Sequence, residues 1–183
     1  SYLACLRAGH VPLLLARDTQ PARIDVLAQV YAPCWVMGAN LNGEPVGGVG
    51  LPLKVRKTEH PSTLHPALSL LLGTSGTTGS PKLVRLAASA LQANATSIAQ
   101  YMQLNALERA MTVLPPHYSY GLSVINSHLA SGASLLLSEA SVISPDFNRL
   151  VRLHSVTSLS GVPYTYQMLA RTGFLQQDFP SLR

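Results

Sequence analysis

Leu72–Lys82, reading LGTSGTTGSPK, gathers Gly73, Gly76 and Gly79 with Thr74, Ser75, Thr77, Thr78, Ser80 and Lys82. Apolar runs flank it, Leu68–Leu72 before and Leu83–Leu86 after. Such a loop offers backbone N–H groups, hydroxyls and one ammonium in a small volume. Glycine lets the backbone approach a ligand closely and take φ > 0. Convergent N–H donors beside a lysine suit a polyphosphate. The spacing matches neither common nucleotide fingerprint. A Walker A loop ends Gly-Lys-Ser/Thr, whereas Lys82 follows Pro81 and precedes Leu83; the dinucleotide pattern Gly-x-Gly-x-x-Gly does not fit glycines that recur at every third position. The competing reading is a flexible Ser/Gly surface turn, which fits poorly with flanking apolar strands and a terminal Pro-Lys.

Other chemistry-bearing residues are sparse. His117 reads on its own as a histidine hydrogen-bonded at a strand end, and His128 and His154 fall on helical faces as structural residues. The histidines form no His-Glu-x-x-His or comparable array, so no metal site is expected. Cys5 and Cys34 are far apart, which predicts buried, reduced thiols in a cytoplasmic protein. Net charge is +5, but the basic residues scatter apart from Lys54, Arg56 and Lys57, with no aromatic platforms among them. That excludes a nucleic-acid stripe. No apolar run approaches the ~18 residues of a membrane span, and no signal-peptide pattern is present.

These residues need elements to position them, and the chain alternates helical and extended patterns. Residues 1–8 read as helix and Val11–Leu15 as a short strand. Pro21 opens a second helix, with Ile24, Leu27, Ala28 and Tyr31 at helical spacing. Cys34–Met37 reads as a strand, and Leu53–Arg56 as another inside a Gly/Pro-rich stretch. After the loop and its flanking strands come a helix over Ala88–Leu104, with Leu91, Ala95, Ile98 and Met102 inward, and a strand over Met111–Leu114. Tyr120–Ala130 is a helix closed by Gly132, Ser134–Leu137 a strand, and Ser144-Pro145 starts a helix to about His154. Val156–Leu159 is a strand, and Val162–Arg171 a helix with Gly173 past its end. The alternation predicts an α/β, three-layer fold with parallel strands at Val11–Leu15, Cys34–Met37, Met111–Leu114, Ser134–Leu137 and Val156–Leu159.

Thr74-Ser75-Gly76-Thr77-Thr78-Gly79-Ser80-Pro81-Lys82 resembles, at every position, the phosphate-binding signature of the adenylate-forming (AMP-binding) superfamily, which includes acyl-CoA synthetases and adenylation domains. Leu114–Leu122, LPPHYSYGL, is similar to that family's strand-end motif Leu-Pro-x-aromatic-His-Ser-x-Gly, with His117 where an aromatic is usual and Tyr118 where the histidine is usual. Gly161-Val162-Pro163 resembles its later Val-Pro turn, and residues 2–13 resemble its opening helix and strand. The resemblance implies a parallel-sheet subdomain of the N-terminal domain, covering residues 1–183.

It further implies ATP, Mg²⁺ and a thiol acceptor, coenzyme A or phosphopantetheine on a carrier protein, as cofactors of an enzyme that converts a carboxylic acid to an acyl-adenylate and then to a thioester. Thr74, Ser75, Gly76, Thr77, Thr78, Gly79 and Lys82 would hold the nucleotide phosphates, and His117, Tyr118 and Gly121 would border the acid. No catalytic residue is assigned: the Tyr-Gly-x-Thr-Glu segment, the ribose-binding aspartate and the C-terminal domain's lysine have no counterpart here. Charged residues are 11% of the chain, against roughly 25% in an average domain. The expectation is a fragment whose exposed apolar surface supports self-association. The rival reading is a catalytically inactive nucleotide- or partner-binding module.

Overall fold

The computed structural model describes residues 2–38, 44–45, 54–57, 64–73 and 82–183. Residues 1–87 and 88–183 form two compact units.

In the first unit, α1 spans Tyr2–Arg7, β1 Leu13–Leu14, α2 Pro21–Tyr31, β2 Trp35–Gly38, β3 Glu44–Pro45, β4 Lys54–Lys57, β5 Leu68–Gly73 and β6 Leu83–Ala87. The strands form two three-stranded sheets, β1-β5-β6 and β2-β4-β3. β1 runs parallel to β5, whereas β5 and β6 are antiparallel. Leu70 and Leu72 of β5 are buried, as is Leu27 of α2, which opens on Pro21, where the proline's lack of an N–H costs no helical hydrogen bond.

The strand expected at Cys34–Met37 is not part of a parallel sheet. Its observed span, Trp35–Gly38, pairs antiparallel with β4, Trp35 opposite Lys57 and Gly38 opposite Lys54. An antiparallel pair needs no helical crossover, and β2 is not followed by one among the described residues. Trp35 and Met37 on one of its faces are exposed, as a one-sided antiparallel sheet allows. The cysteines also depart from expectation. Cys34 is exposed and Cys5 half-buried; Cys34 lies between the left-handed end of α2 and the start of β2.

The second unit contains α3 (Ala88–Tyr101), β7 (Arg109–Met111), α4 (Ser119–Ala130), β8 (Ser134–Leu136), α5 (Pro145–Leu153), β9 (Ser158–Leu159), α6 (Pro163–Arg171) and a 3₁₀ turn at Phe174–Gln176. Its sheet is wholly parallel in the order β8-β7-β9. Consecutive residues of a strand face opposite sides, and both Ala110 and Met111 are buried, so the sheet is covered on both faces. On one face α4 packs against α3, β8 and β7. On the other, Met111 meets Phe147 and Val151 of α5, Leu169 of α6, and Val156, Phe174 and Phe179. This unit has the three layers expected.

Helix ends follow one rule. α1, α4 and α6 are followed by Gly9, Gly132 and Gly173, all at φ near +70°. Behind α4, the N–H of Ala133 bonds to His128 O and that of Gly132 to Leu129 O, a Schellman closure. α3 closes the same way with Gln103 at φ 52, so it stops at Tyr101 and leaves Met102, expected inward, exposed.

Candidate functional site

β5 and β6 form a hairpin whose last ladder pair is Gly73 opposite Leu83. The motif 74–82 therefore connects two residues of one antiparallel pair, Gly73 at the carboxyl end of β5 and Leu83 at the start of β6. Thr74, Ser75, Gly76, Thr77, Thr78 and Gly79 lie outside the described residues. Lys82 is described and exposed, one residue before β6. A cation there meets solvent and approaching anions, not a buried carboxylate.

The other candidates sit together in the second unit, where β7 turns into α4. Tyr118 is the N-terminal cap of α4, extended at φ −101 and ψ 134, and its side chain makes no capping bond. Its N–H donates to Pro115 O (3.1 Å), and its carbonyl accepts from Leu122 N–H (2.9 Å). The turn thus closes on backbone groups alone and leaves the Tyr118 ring half exposed. His117 is half-buried beside it. Gly121 is buried, and a Cβ built on it would fall 2.7 Å from Leu114 O and closer still to Pro115 O. Its part in the site is to let α4 rest directly on the backbone that leaves β7.

A narrow crevice follows from this packing, lined by Met111, Thr112, Val113, Leu114, Gly121, Val124 and Ser160, with no room for a water-sized sphere. It lies at the carboxyl ends of β7 and β9, which is where ligands gather in parallel sheets. Thr112 and Ser160 were not singled out in the sequence, although Ser160 immediately precedes Gly161-Val162-Pro163. That turn is equally tight. A Cβ on Gly161 would lie 2.7 Å from Thr165 Cβ, which seats the first turn of α6 against the end of β9. Tyr166, on that turn, donates its hydroxyl to Leu159 O at 3.2 Å and so lays its ring over the end of β9.

His128 is buried within α4 and fully engaged: Nδ1 donates to Val124 O (2.8 Å), and Nε2 lies 3.2 Å from Ser158 Oγ. A carbonyl only accepts, so Nδ1 is the donor to Val124 O. It is structural, as expected. A second polar cluster lies at the amino end of β7, away from the crevice. The buried Glu108 carboxylate accepts from Thr157 Oγ1 at Oε2, while Oε1 is left to an ion pair with Arg183. Thr157 Oγ1 also accepts from Arg109 N–H at 2.8 Å, and Arg183 N–H donates to Thr157 O at 3.1 Å. No short-range signal in the sequence links these residues. Among the described residues, no group of three or more His, Cys, Asp or Glu side chains could hold a metal ion, and no helix is long and apolar enough to cross a membrane.

A family model described as AMP-binding enzyme matches residues 1–183. Solved structures agree with it. The adenylation domain AlmE of Vibrio cholerae, in complex with glycyl-adenosine-5'-phosphate, is 27% identical, with a TM-score of 0.56 over 63% of this chain and 22% of its own. O-succinylbenzoate coenzyme A synthetase (MenE) of Bacillus subtilis, in complex with AMP, is 27% identical, with a TM-score of 0.54 over 70% of this chain and 33% of its own. IdnL1, 18% identical, supports the fold alone, at a TM-score of 0.72 over 93% of this chain and 37% of its own. This chain thus spans 22–37% of the length of these structures. No curated protein matches it.

Proposed function

This chain belongs to the AMP-binding enzyme family, and we propose that the protein carrying it activates a carboxylic acid with ATP and passes the acyl group to a thiol. In the first step a carboxylate oxygen attacks the α-phosphorus, and the bond from that phosphorus to the oxygen of pyrophosphate breaks. In the second, a thiolate of coenzyme A or of a carrier's phosphopantetheine attacks the mixed anhydride, and AMP leaves. The observation that carries this reading is the motif 74–82, bounded by the paired residues Gly73 and Leu83 in a chain matched along its whole length.

Thr74, Ser75, Thr77 and Thr78 supply hydroxyls, Gly76 and Gly79 allow close backbone approach, and Lys82 adds a positive charge toward the departing phosphates. Fixed donors aimed at developing charge are worth several kcal/mol when water is excluded. Magnesium would be held mainly by the nucleotide phosphates and water, and would supply charge neutralisation to the pyrophosphate beside Lys82; no protein ligand for it is assigned. His117, Tyr118 and Gly121 form the edge where the acid rests, with Gly121 acting through backbone packing. Exposed Tyr101 and Leu107 support contact with further protein, whether a second copy or a carrier.

The test is product identity. The protein at its full native length, given ATP, magnesium, a thiol acceptor such as coenzyme A and a panel of carboxylic acids, should release AMP and pyrophosphate only when an acid is present. Release of ADP and phosphate would remove it from this chemistry.

A further inference from the structure

A groove of about 350 Å³, the size of a small-ligand site, runs along the later turns of α3 beside the end of α4. We propose that it binds a short, uncharged linear amide of two or three peptide units, extended along α3. The site is separate from the crevice. Ala130 at its edge is the last residue of α4, about 13 Å along that helix from Gly121.

Three observations carry this. The first is charge. Residues 86–107 and 110–138, which contain α3 and α4, include no Asp, Glu, Lys or Arg. An ionic ligand would lose water on these walls with no counter-charge from either helix, so a neutral one fits. The second is chemistry. The carboxamides of Gln92, Gln100 and Gln103 and the Thr96 hydroxyl line the groove, with half-buried Ala99 and Leu104 between them. A carboxamide presents a donor and an acceptor side by side, the complement of another amide. Gln92 Nε2 donates to Thr96 Oγ1 at 3.1 Å, which fixes that pair and leaves the Gln92 carbonyl and the Thr96 hydrogen for a ligand. Among the described residues, nothing in the protein bonds to the side chains of Gln100 or Gln103.

The third is spacing. Gln92, Thr96 and Gln100 recur every four residues, about 6 Å apart along the helix axis. An extended peptide repeats the amides on one edge about every 6.6 Å, so successive units meet successive side chains within a glutamine's reach. Gln103 stands at φ 52, and the Leu104 N–H closes on Ala99 O at 2.9 Å, so a fixed turn ends the row.

The test is saturation-transfer NMR on the full-length protein with N-acetyl-alanyl-alanine N-methylamide, set against zwitterionic dialanine and against triethylene glycol, a linear chain without amides. Only the capped peptide should bind saturably, with a dissociation constant of roughly 1 mM, as a few hydrogen bonds exchanged against water allow. Gln100→Leu and Thr96→Val each exchange a polar group for an apolar one of similar shape, and each should weaken binding roughly three- to tenfold. Both positions are exposed and both replacements keep helix propensity nearly unchanged, so an unaltered melting temperature accompanies the loss. No saturable binding, equal binding of dialanine or triethylene glycol, or full affinity in both variants overturns the inference. No acid or nucleotide is present, so the outcome is independent of the acid-activating reading.

Discussion

Replacing Gly121 with alanine reverses the usual sign of a glycine-to-alanine change in a helix. Inside a helix, alanine is ordinarily favoured over glycine by about 1 kcal/mol. Here the added methyl would stand 2.7 Å from Leu114 O and 2.9 Å from Leu114 C, with Pro115 O nearer still. Ordinary contact begins near 3.4 Å, so the first turn of α4 must withdraw by more than half an ångström from the end of β7. All three obstructing atoms are backbone, so no rotamer change relieves them. Overpacking of this kind costs about 1–3 kcal/mol, and the rigidity of the partners argues for the upper part of that range. Net of propensity, Gly121→Ala should destabilise by about 1–2 kcal/mol, a fall in melting temperature of roughly 2–8 °C for a chain of this size. Circular dichroism during urea and thermal unfolding measures it. Equal or greater stability of Gly121→Ala would refute the close seating of α4 on β7, and with it the crevice.

Arg183→Ala should destabilise by about 2–3 kcal/mol, because Glu108 would keep its buried charge without a cation; this is below the fully buried case, since Arg183 itself is largely exposed. A double-mutant cycle with Glu108→Gln measures the coupling, and additive losses would dismiss the pair. Gln103→Gly should stabilise by roughly 0.5–1 kcal/mol, because φ 52 strains a side-chain-bearing residue more than glycine's added chain entropy costs. A lowered urea midpoint would contradict that.

Much of this was legible along the chain wherever the deciding interaction is local. Gly132 and Gly173 marked helix ends because the left-handed turn favours a residue without a Cβ. Gln103 and Ser155 adopt the same conformation without that mark, and the end of α3 was therefore read at Leu104 instead of Tyr101. The strand read from Met111 begins two residues earlier, at Arg109, whose N–H is received by Thr157, far along the sequence. The pairing of β2 was likewise non-local, since a short apolar run does not announce its partner or its direction. At the site, the phosphate motif and the Leu114–Leu122 run stood out by residue type. Thr112, Ser160 and Tyr166 became visible only once β7 and β9 were neighbours.

The central claim, that residues 74–82 grip the pyrophosphate leaving group of an acid-activating enzyme, meets its most direct test at Lys82. Negative charge on the bridging oxygen grows as the phosphorus–oxygen bond breaks, so the ammonium matters most in the transition state. ATP–pyrophosphate exchange by the full-length protein and its Lys82→Ala variant, at saturating acid, is the measurement. The variant should lose roughly 2–4 kcal/mol of barrier stabilisation, about 30- to 1,000-fold in rate, with the acid's KM little changed. Equal exchange rates in the two proteins would contradict the claim.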